Sequence, residues 1–174
     1  MAQKLKGSLW HRSLARASSY TAVVTHRRIL VSSCLAGIPC RYNGKAKTDP
    51  EILEAVERNE AIALCAEELG NLPTPRPPAE IVGGDGQAVL DGLAAVIDIN
   101  GEDVSNQFID GAQKVVAVIQ REGITEAILQ DRSPSCGCGR IYDGTHSGKL
   151  VEGGGVLAAL LKRRGVTVSG SSAL

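Results

Sequence analysis

Apolar positions along this chain repeat at a strand-like period in some stretches and a helix-like period in others. Ile29-Leu30-Val31 is a short β-branched run ending in Ser32-Ser33, which predicts a buried strand. Asp49-Pro50-Glu51 predicts a helix start, with aspartate at the cap, proline at the first helical position and an acid in the first turn. Ile52, Leu53 and Val56 give that helix an apolar side, to about Asn59. Ala61 to Leu64 reads as a second strand. Leu72 to Pro78 holds four of the seven prolines and is predicted to be a stiff loop. Ala88 to Leu90, Asp91-Gly92 and Leu93 to Ile99 read as a hairpin with a type I′ turn. Val104, Phe108, Ala112, Val115 and Ile119 recur at helical spacing, so 104–121 is expected to be an amphipathic helix closed by Gly123. Glu126 to Leu129 predicts a third core strand, and 131–150 reads as irregular and Gly-rich. Val156 to Arg164 predicts a basic-ended helix stopped by Gly165, and Val166 to Val168 a last strand. This alternation argues for a single α/β domain: a mostly parallel sheet with flanking helices and an inserted antiparallel hairpin.

Composition narrows the class. The 174 residues are 43% hydrophobic but only 3% aromatic, with one Phe108 and one Trp10. No apolar run is long enough to span a bilayer as a helix. The scarcity of rings speaks against a single-strand nucleic-acid binder that stacks bases. The formal net charge is zero, 19 basic against 19 acidic residues. Residues 1–28 carry six of the basic residues and no acid, which leaves a net of −6 on the rest. Three segments are therefore expected: a basic leader at 1–28, the α/β domain at 29–168 and a tail at 169–174. An acid-poor, Arg- and Ser-rich leader has the composition of a mitochondrial transit peptide. A disordered basic tail or an over-extended gene start fits equally. The expected compartment is cytoplasmic, or mitochondrial if the leader is a transit peptide.

Candidate chemistry lies in the five cysteines: Cys34, Cys40, Cys65, Cys136 and Cys138. An odd count without a secretory signal argues against a disulfide scaffold. Paired zinc-type and ferredoxin-type spacings are absent. Topology is more informative than spacing. Cys34 follows the first strand, Cys65 the second, and Cys136 lies in the loop after the third. In a parallel sheet the carboxyl ends of the strands share one edge, where ligands bind. Three thiols would then face one crevice as a ligand cluster; the alternative is that they are small buried core residues. Glu67 and Ser133 are candidate proton carriers beside them. Arg41 and Arg76 are expected either to bind an anionic group or to pair with loop carboxylates. Gly153 to Gly155, before a helix, are a weak candidate anion cradle. His146 reads as structural or solvated.

Six motifs occur in order: Ser33-Cys34-Leu35-Ala36-Gly37, Arg41-Tyr42-Asn43-Gly44, Cys65-Ala66-Glu67, the segment from Gly70 to Ile81, Arg132-Ser133-Pro134-Ser135-Cys136-Gly137, and Ile141-Tyr142-Asp143-Gly144-Thr145. Together, over about Ile29 to Val168, they resemble the family known as domain of unknown function 523, whose studied members are thiouracil desulfidases. The chain departs from that pattern with Cys65-Ala66-Glu67 where Cys-Pro-Glu is expected, Gly70-Asn71-Leu72-Pro73 where Gly-Gly-Leu-Pro is expected, and Asn43 where aspartate is usual. The resemblance implies a [4Fe-4S] cluster held by Cys34, Cys65 and Cys136 with one iron open for the substrate's sulfur. It also implies Glu67 and Ser133 as the acid/base pair. The implied partner is a small thiolated substrate, a nucleobase of the 2-thiouracil type, from which sulfur leaves as hydrogen sulfide. Cys40 and Cys138 match no ligand position. Two other readings stand beside this one: a cysteine-nucleophile hydrolase, for which no motif histidine is present, and a non-catalytic metal- or sulfide-binding accessory module for tRNA thiolation chemistry.

Overall fold

A computed structural model describes residues 28–171. The basic leader up to residue 27 and the last three residues of the expected tail lie outside the described residues. The chain runs β1 (Ile29–Ser32), α1 (Pro50–Glu57), β2 (Ala61–Leu64), α2 (Ala66–Leu69), β3 (Ala79–Val82), α3 (Gly86–Leu90), β4 (Ala95–Asp98), α4 (Ser105–Glu122), β5 (Glu126–Leu129), β6 (Arg140–Tyr142), β7 (Leu150–Glu152), α5 (Val156–Arg163) and β8 (Thr167–Gly170).

Four strands form one parallel sheet in the order β2-β1-β5-β8. β1 is central. Leu30 pairs with Ile62 on one side and Ala127 on the other, and Val31 with Ala63 and Ile128. Successive side chains of β1 point to opposite faces. Leu30 enters a large core with Phe108, Val115, Leu129, Leu157 and Leu161, while Val31 enters a smaller one with Leu35, Ile52 and Ala61. Both faces of the sheet are covered, which is why β1 reads as a continuous apolar run rather than an alternating one.

The helix signals act as expected. The Asp49 carboxylate accepts from the backbone N–H groups of Glu51 and Ile52 at 3.1 and 3.4 Å, capping α1 ahead of Pro50. α4 buries Phe108, Ala112, Val115 and Ile119 on one side, and Gly123 closes it in the left-handed region at φ 67°. No helix among the described residues is long and apolar enough to cross a membrane.

The antiparallel hairpin is present with different partners. Residues 86–90 form α3, not a strand. The Asp85 carboxylate accepts from Gln87 N–H and Ala88 N–H at 2.9 and 3.2 Å and starts the helix. Asp91 is then a helix cap rather than a hairpin turn. β4 pairs instead with β3, Glu80 opposite Ile97. The stretch 131–150, expected to be irregular, contributes all of β6 and the first residue of β7, which pair antiparallel. The last strand is Thr167–Gly170 rather than Val166–Val168, because Val166 N–H bonds back to Leu161 O at 3.1 Å to finish α5.

α2, a single turn that the sequence did not announce, lies against α4 with backbones in direct approach. A Cβ on Gly111 would stand 1.8 Å from the Ala66 carbonyl oxygen, and one on Gly70 would stand 2.0 Å from that of Gln107. Gly111→Ala therefore forces the two helices apart and is expected to destabilise the protein by about 3 kcal/mol. Gly123→Ala meets nothing within 4 Å. It suffers only its positive φ, at a cost of about 1 kcal/mol. Urea denaturation of the two variants beside the parent measures both values, and equal losses would contradict the close-approach argument.

Candidate active site

Three neighbouring strands end at the carboxyl edge of the sheet, and each hands over to a cysteine. Cys34 lies in the turn after β1, Cys65 is the residue after β2 and the N-cap of α2, and Cys136 lies in the loop after β5. All three line one cavity of about 990 Å³. Sequence order thus placed them correctly along one edge.

A fourth thiol joins them. After β1 the chain curls through Gly37 at φ 84°, held by Ile38 N–H to Ser33 O at 3.1 Å. It then carries Cys40 back into the same cavity, 2% exposed. Its sulfur interacts with those of both Cys34 and Cys65. The sequence offered only a Cys-x5-Cys spacing, which fits no familiar metal motif. Cys138 goes elsewhere: its thiol donates to the carbonyls of Cys136 and Ser169 at 3.2 and 3.3 Å.

The surroundings of Cys40, Cys65 and Cys136 favour the protonated thiol. Hydrogen bonding with the Cys34 sulfur, with burial adding to it, pushes the Cys40 thiol up to about 12. Hydrogen bonding with Cys40 and burial raise Cys65 strongly. Burial pushes Cys136 up to about 12, against the Ser32 hydroxyl, which donates to its sulfur at 3.3 Å. Crowded, desolvated thiols of this kind give up their protons readily only to a bound cation. Soft sulfur donors suit iron–sulfur clusters and zinc. The donor set therefore fits a [4Fe-4S] group, with room left in the cavity beside it.

Beside the thiols stands an ion pair. The Arg76 guanidinium donates to Glu67 Oε2 from Nε at 2.8 Å and Nη2 at 2.7 Å, with the arginine side chain 5% and the glutamate side chain 17% exposed. Of the two expectations for Arg76, pairing with a carboxylate of the chain is the one observed, although that carboxylate is on α2 rather than a loop. Arg76 also donates to Cys40 O at 2.9 Å, Pro73 O at 3.0 Å and Thr74 Oγ1 at 3.1 Å, so one side chain ties its own loop to α2 and to the Cys40 loop. Arg41, the other candidate, lines the cavity with its guanidinium 5.9 Å from the centre of the Tyr42 ring.

Ser133 Oγ accepts from the backbone N–H groups of Ser135 and Cys136 at 3.0 and 3.1 Å. These bonds orient the hydroxyl so that its own proton points toward Glu67 Oε1, 3.5 Å away. Ser133 thus caps the loop that carries Cys136 and faces the candidate base.

The Gly153–Gly155 stretch is not an anion cradle. The N–H groups that open α5 are occupied by the Cys136 loop: Gly155 donates to Gly137 O at 2.8 Å, Val156 to Pro134 O at 2.8 Å and Leu157 to Ser135 O at 2.9 Å. A Cβ on Gly155 would stand 2.3 Å from Ser135 O. These glycines let α5 grip the loop. His146 lines the cavity: its backbone N–H and that of Gly144 donate to the buried Glu80 carboxylate at 3.0 and 2.9 Å, and its imidazole Nδ1 stands 3.8 Å from Glu80 Oε1. The departure at Ala66 is mild in place, since Ala66 is the first residue of α2, where proline is also tolerated.

Comparison with known proteins agrees with this geometry. The family model described as 2-thiouracil desulfurase matches residues 29–172. The uncharacterized protein YbbK of Bacillus subtilis (strain 168) is 49% identical over 140 residues, covering 80% of this chain and 93% of that protein. The solved structure of the [4Fe-4S]-dependent thiouracil desulfidase TudS superposes with a TM-score of 0.75 at 38% identity, covering 85% of this chain and 93% of that one. Four soft thiols and a glutamate–serine pair at one sheet edge, in a chain matched along nearly all of its described length, lead to one assignment: the protein belongs to the 2-thiouracil desulfurase family.

Proposed function

We propose that this protein removes sulfur from a small thiolated heterocycle of the 2-thiouracil type and releases it as hydrogen sulfide, using a [4Fe-4S] cluster held by Cys34, Cys65 and Cys136. The observation that carries the reading is the meeting of three strand-end thiols with the Glu67–Ser133 pair in one cavity. Membership of the family and the likeness to TudS support it. A cluster with three protein ligands supplies one open iron, a Lewis acid with an affinity for soft sulfur.

The chain's own residues would supply the proton chemistry. Glu67 is anchored through Oε2 by Arg76, so that Oε1, which faces the Ser133 hydroxyl, is the oxygen that would take a proton from water. Ser133 relays a proton between that carboxylate and the substrate. Its 3.5 Å contact with Glu67 is long, as acid/base contacts often are before substrate binds. The net change replaces C=S by C=O with one water consumed and one hydrogen sulfide released, so no electrons are exchanged and no external reductant is needed. The side-by-side placement of Glu67 and Ser133 favours catalysis over a passive sulfide-binding module.

Anaerobically purified full-length protein is expected to carry about four irons and four sulfides per chain. Cys34→Ala, Cys65→Ala and Cys136→Ala should each lose the cluster, while Cys138→Ala keeps it; iron and sulfide assays read the difference. A colourless protein after reconstitution would sink the proposal. Glu67→Gln and Ser133→Ala should retain the cluster and lose turnover of 2-thiouracil by about 100-fold or more, measured as uracil and sulfide formed. Arg76→Met strands a mostly buried carboxylate and should cost about 3 kcal/mol in urea denaturation.

A further inference from the structure

One ligand atom each from Cys40, Cys65 and Glu68 lies within 4.8 Å of the other two. These three residues come from different segments, the turn after β1, the end of β2 and α2, yet the proposed cluster needs neither Cys40 nor Glu68. We infer that Cys40, Cys65 and Glu68 form a mononuclear site for a thiophilic divalent cation of the zinc class, with water as the fourth ligand. Filling it excludes the cluster, because it engages Cys65. The exclusion rests on the cluster ligands proposed above; the cation site does not.

The donor types and their spacing carry the inference. Zinc takes four ligands in a tetrahedron at about 2.3 Å for sulfur and 2.0–2.2 Å for carboxylate oxygen, which sets its ligand atoms roughly 3.5–4 Å apart. Atoms already within 4.8 Å need only a small contraction to meet one ion. Each iron of a cluster with three protein ligands instead takes a single thiolate, so two such ligands stand on different metal atoms. The surroundings hold the set in place independently of the thiols. Thr74 Oγ1 donates to Glu68 Oε1 at 3.0 Å, leaving the other oxygen available. Arg76 holds both Thr74 Oγ1 and the Cys40 carbonyl, fixing the Cys40 loop against α2. For one set of donors zinc binds more tightly than ferrous iron. Zinc is thus a direct competitor for the empty site during cluster assembly, and Cys40 and Glu68 are the residues that admit it.

The test uses the full-length chain, freed of metal and kept reduced, titrated with Co²⁺ and then Zn²⁺. One cobalt per chain is expected, with a sulfur-to-cobalt charge-transfer band that reports thiolate ligation, displaced stoichiometrically by zinc. Cys40→Ala should weaken zinc by about 100-fold, and Glu68→Gln, on an exposed side chain that does not threaten folding, by about tenfold. Cys136→Ala should leave zinc affinity within about threefold of the parent while abolishing the iron–sulfur cluster. Zinc-loaded parent should fail to take up iron and sulfide, and Cys40→Ala should take them up in the presence of the same zinc. The inference is overturned if the parent binds no stoichiometric zinc, if Cys136→Ala loses zinc as Cys40→Ala does, if Cys40→Ala and Glu68→Gln both bind it normally, or if a complete cluster assembles on the zinc-loaded chain. Loss of the cluster in Cys136→Ala is read from iron and sulfide alone, so failure of the cluster assignment and failure of the zinc site give different results.

Discussion

Parallel hydrogen bonding of β1 with β2 and β5 makes three chain segments leave the sheet side by side, and the candidate site depends on that pairing. Each exit delivers a cysteine within a few residues, so no loop has to travel to bring the thiols together. Sheet and site are therefore coupled in energy as well as in space. The apolar burial of Leu30 and Val31 on opposite faces fixes the register of β1, and with it the height at which Cys34 emerges.

The loops beyond that edge are fixed by polar contacts as well as by apolar packing. α5 spends its first N–H groups on the carbonyls of 134, 135 and 137, which grips the Cys136 loop in addition to the packing of Cys136 into the main core. Arg76 does the same for the opposite wall by gripping Glu67, the Cys40 carbonyl and the Pro73–Thr74 turn. A buried guanidinium is tolerable only because its donors meet oxygens in several directions. The outcome is a rim on which thiols and the Arg76-anchored Glu67 carboxylate face one cavity.

Much of the fold was legible because its signals are local. The Asp49-Pro50 start, the 104–121 periodicity and the Gly123 stop act over fewer residues than one element and survive into the structure. The segment 86–90 was misread for an equally local reason. Ala88-Val89-Leu90 is a short apolar run that suits strand or helix alike, and the Asp85 cap together with the close approach of Gly86 to Gly155 decides for helix. β6 and β7 are three residues each and sit among glycines, too short to leave a periodic trace.

The sequence by itself determined the order of the four sheet strands and of the helices α1, α4 and α5, and through it the placement of Cys34, Cys65 and Cys136 after strand ends, since chain order and the handedness of parallel crossovers leave few other arrangements. It also supplied Glu67 and Ser133 as proton-carrying types near those thiols. Only the tertiary structure decided that Cys40 turns back into the cavity, that Arg76 binds Glu67 rather than an external anion, and that Gly153 to Gly155 pack against a loop rather than cradle a ligand. Arg76 lies nine residues from Glu67 and 36 from Cys40, and Gly155 lies 20 from Ser135. Contacts at such separations depend on where the sheet and helices bring distant loops together, which no local pattern of residues encodes.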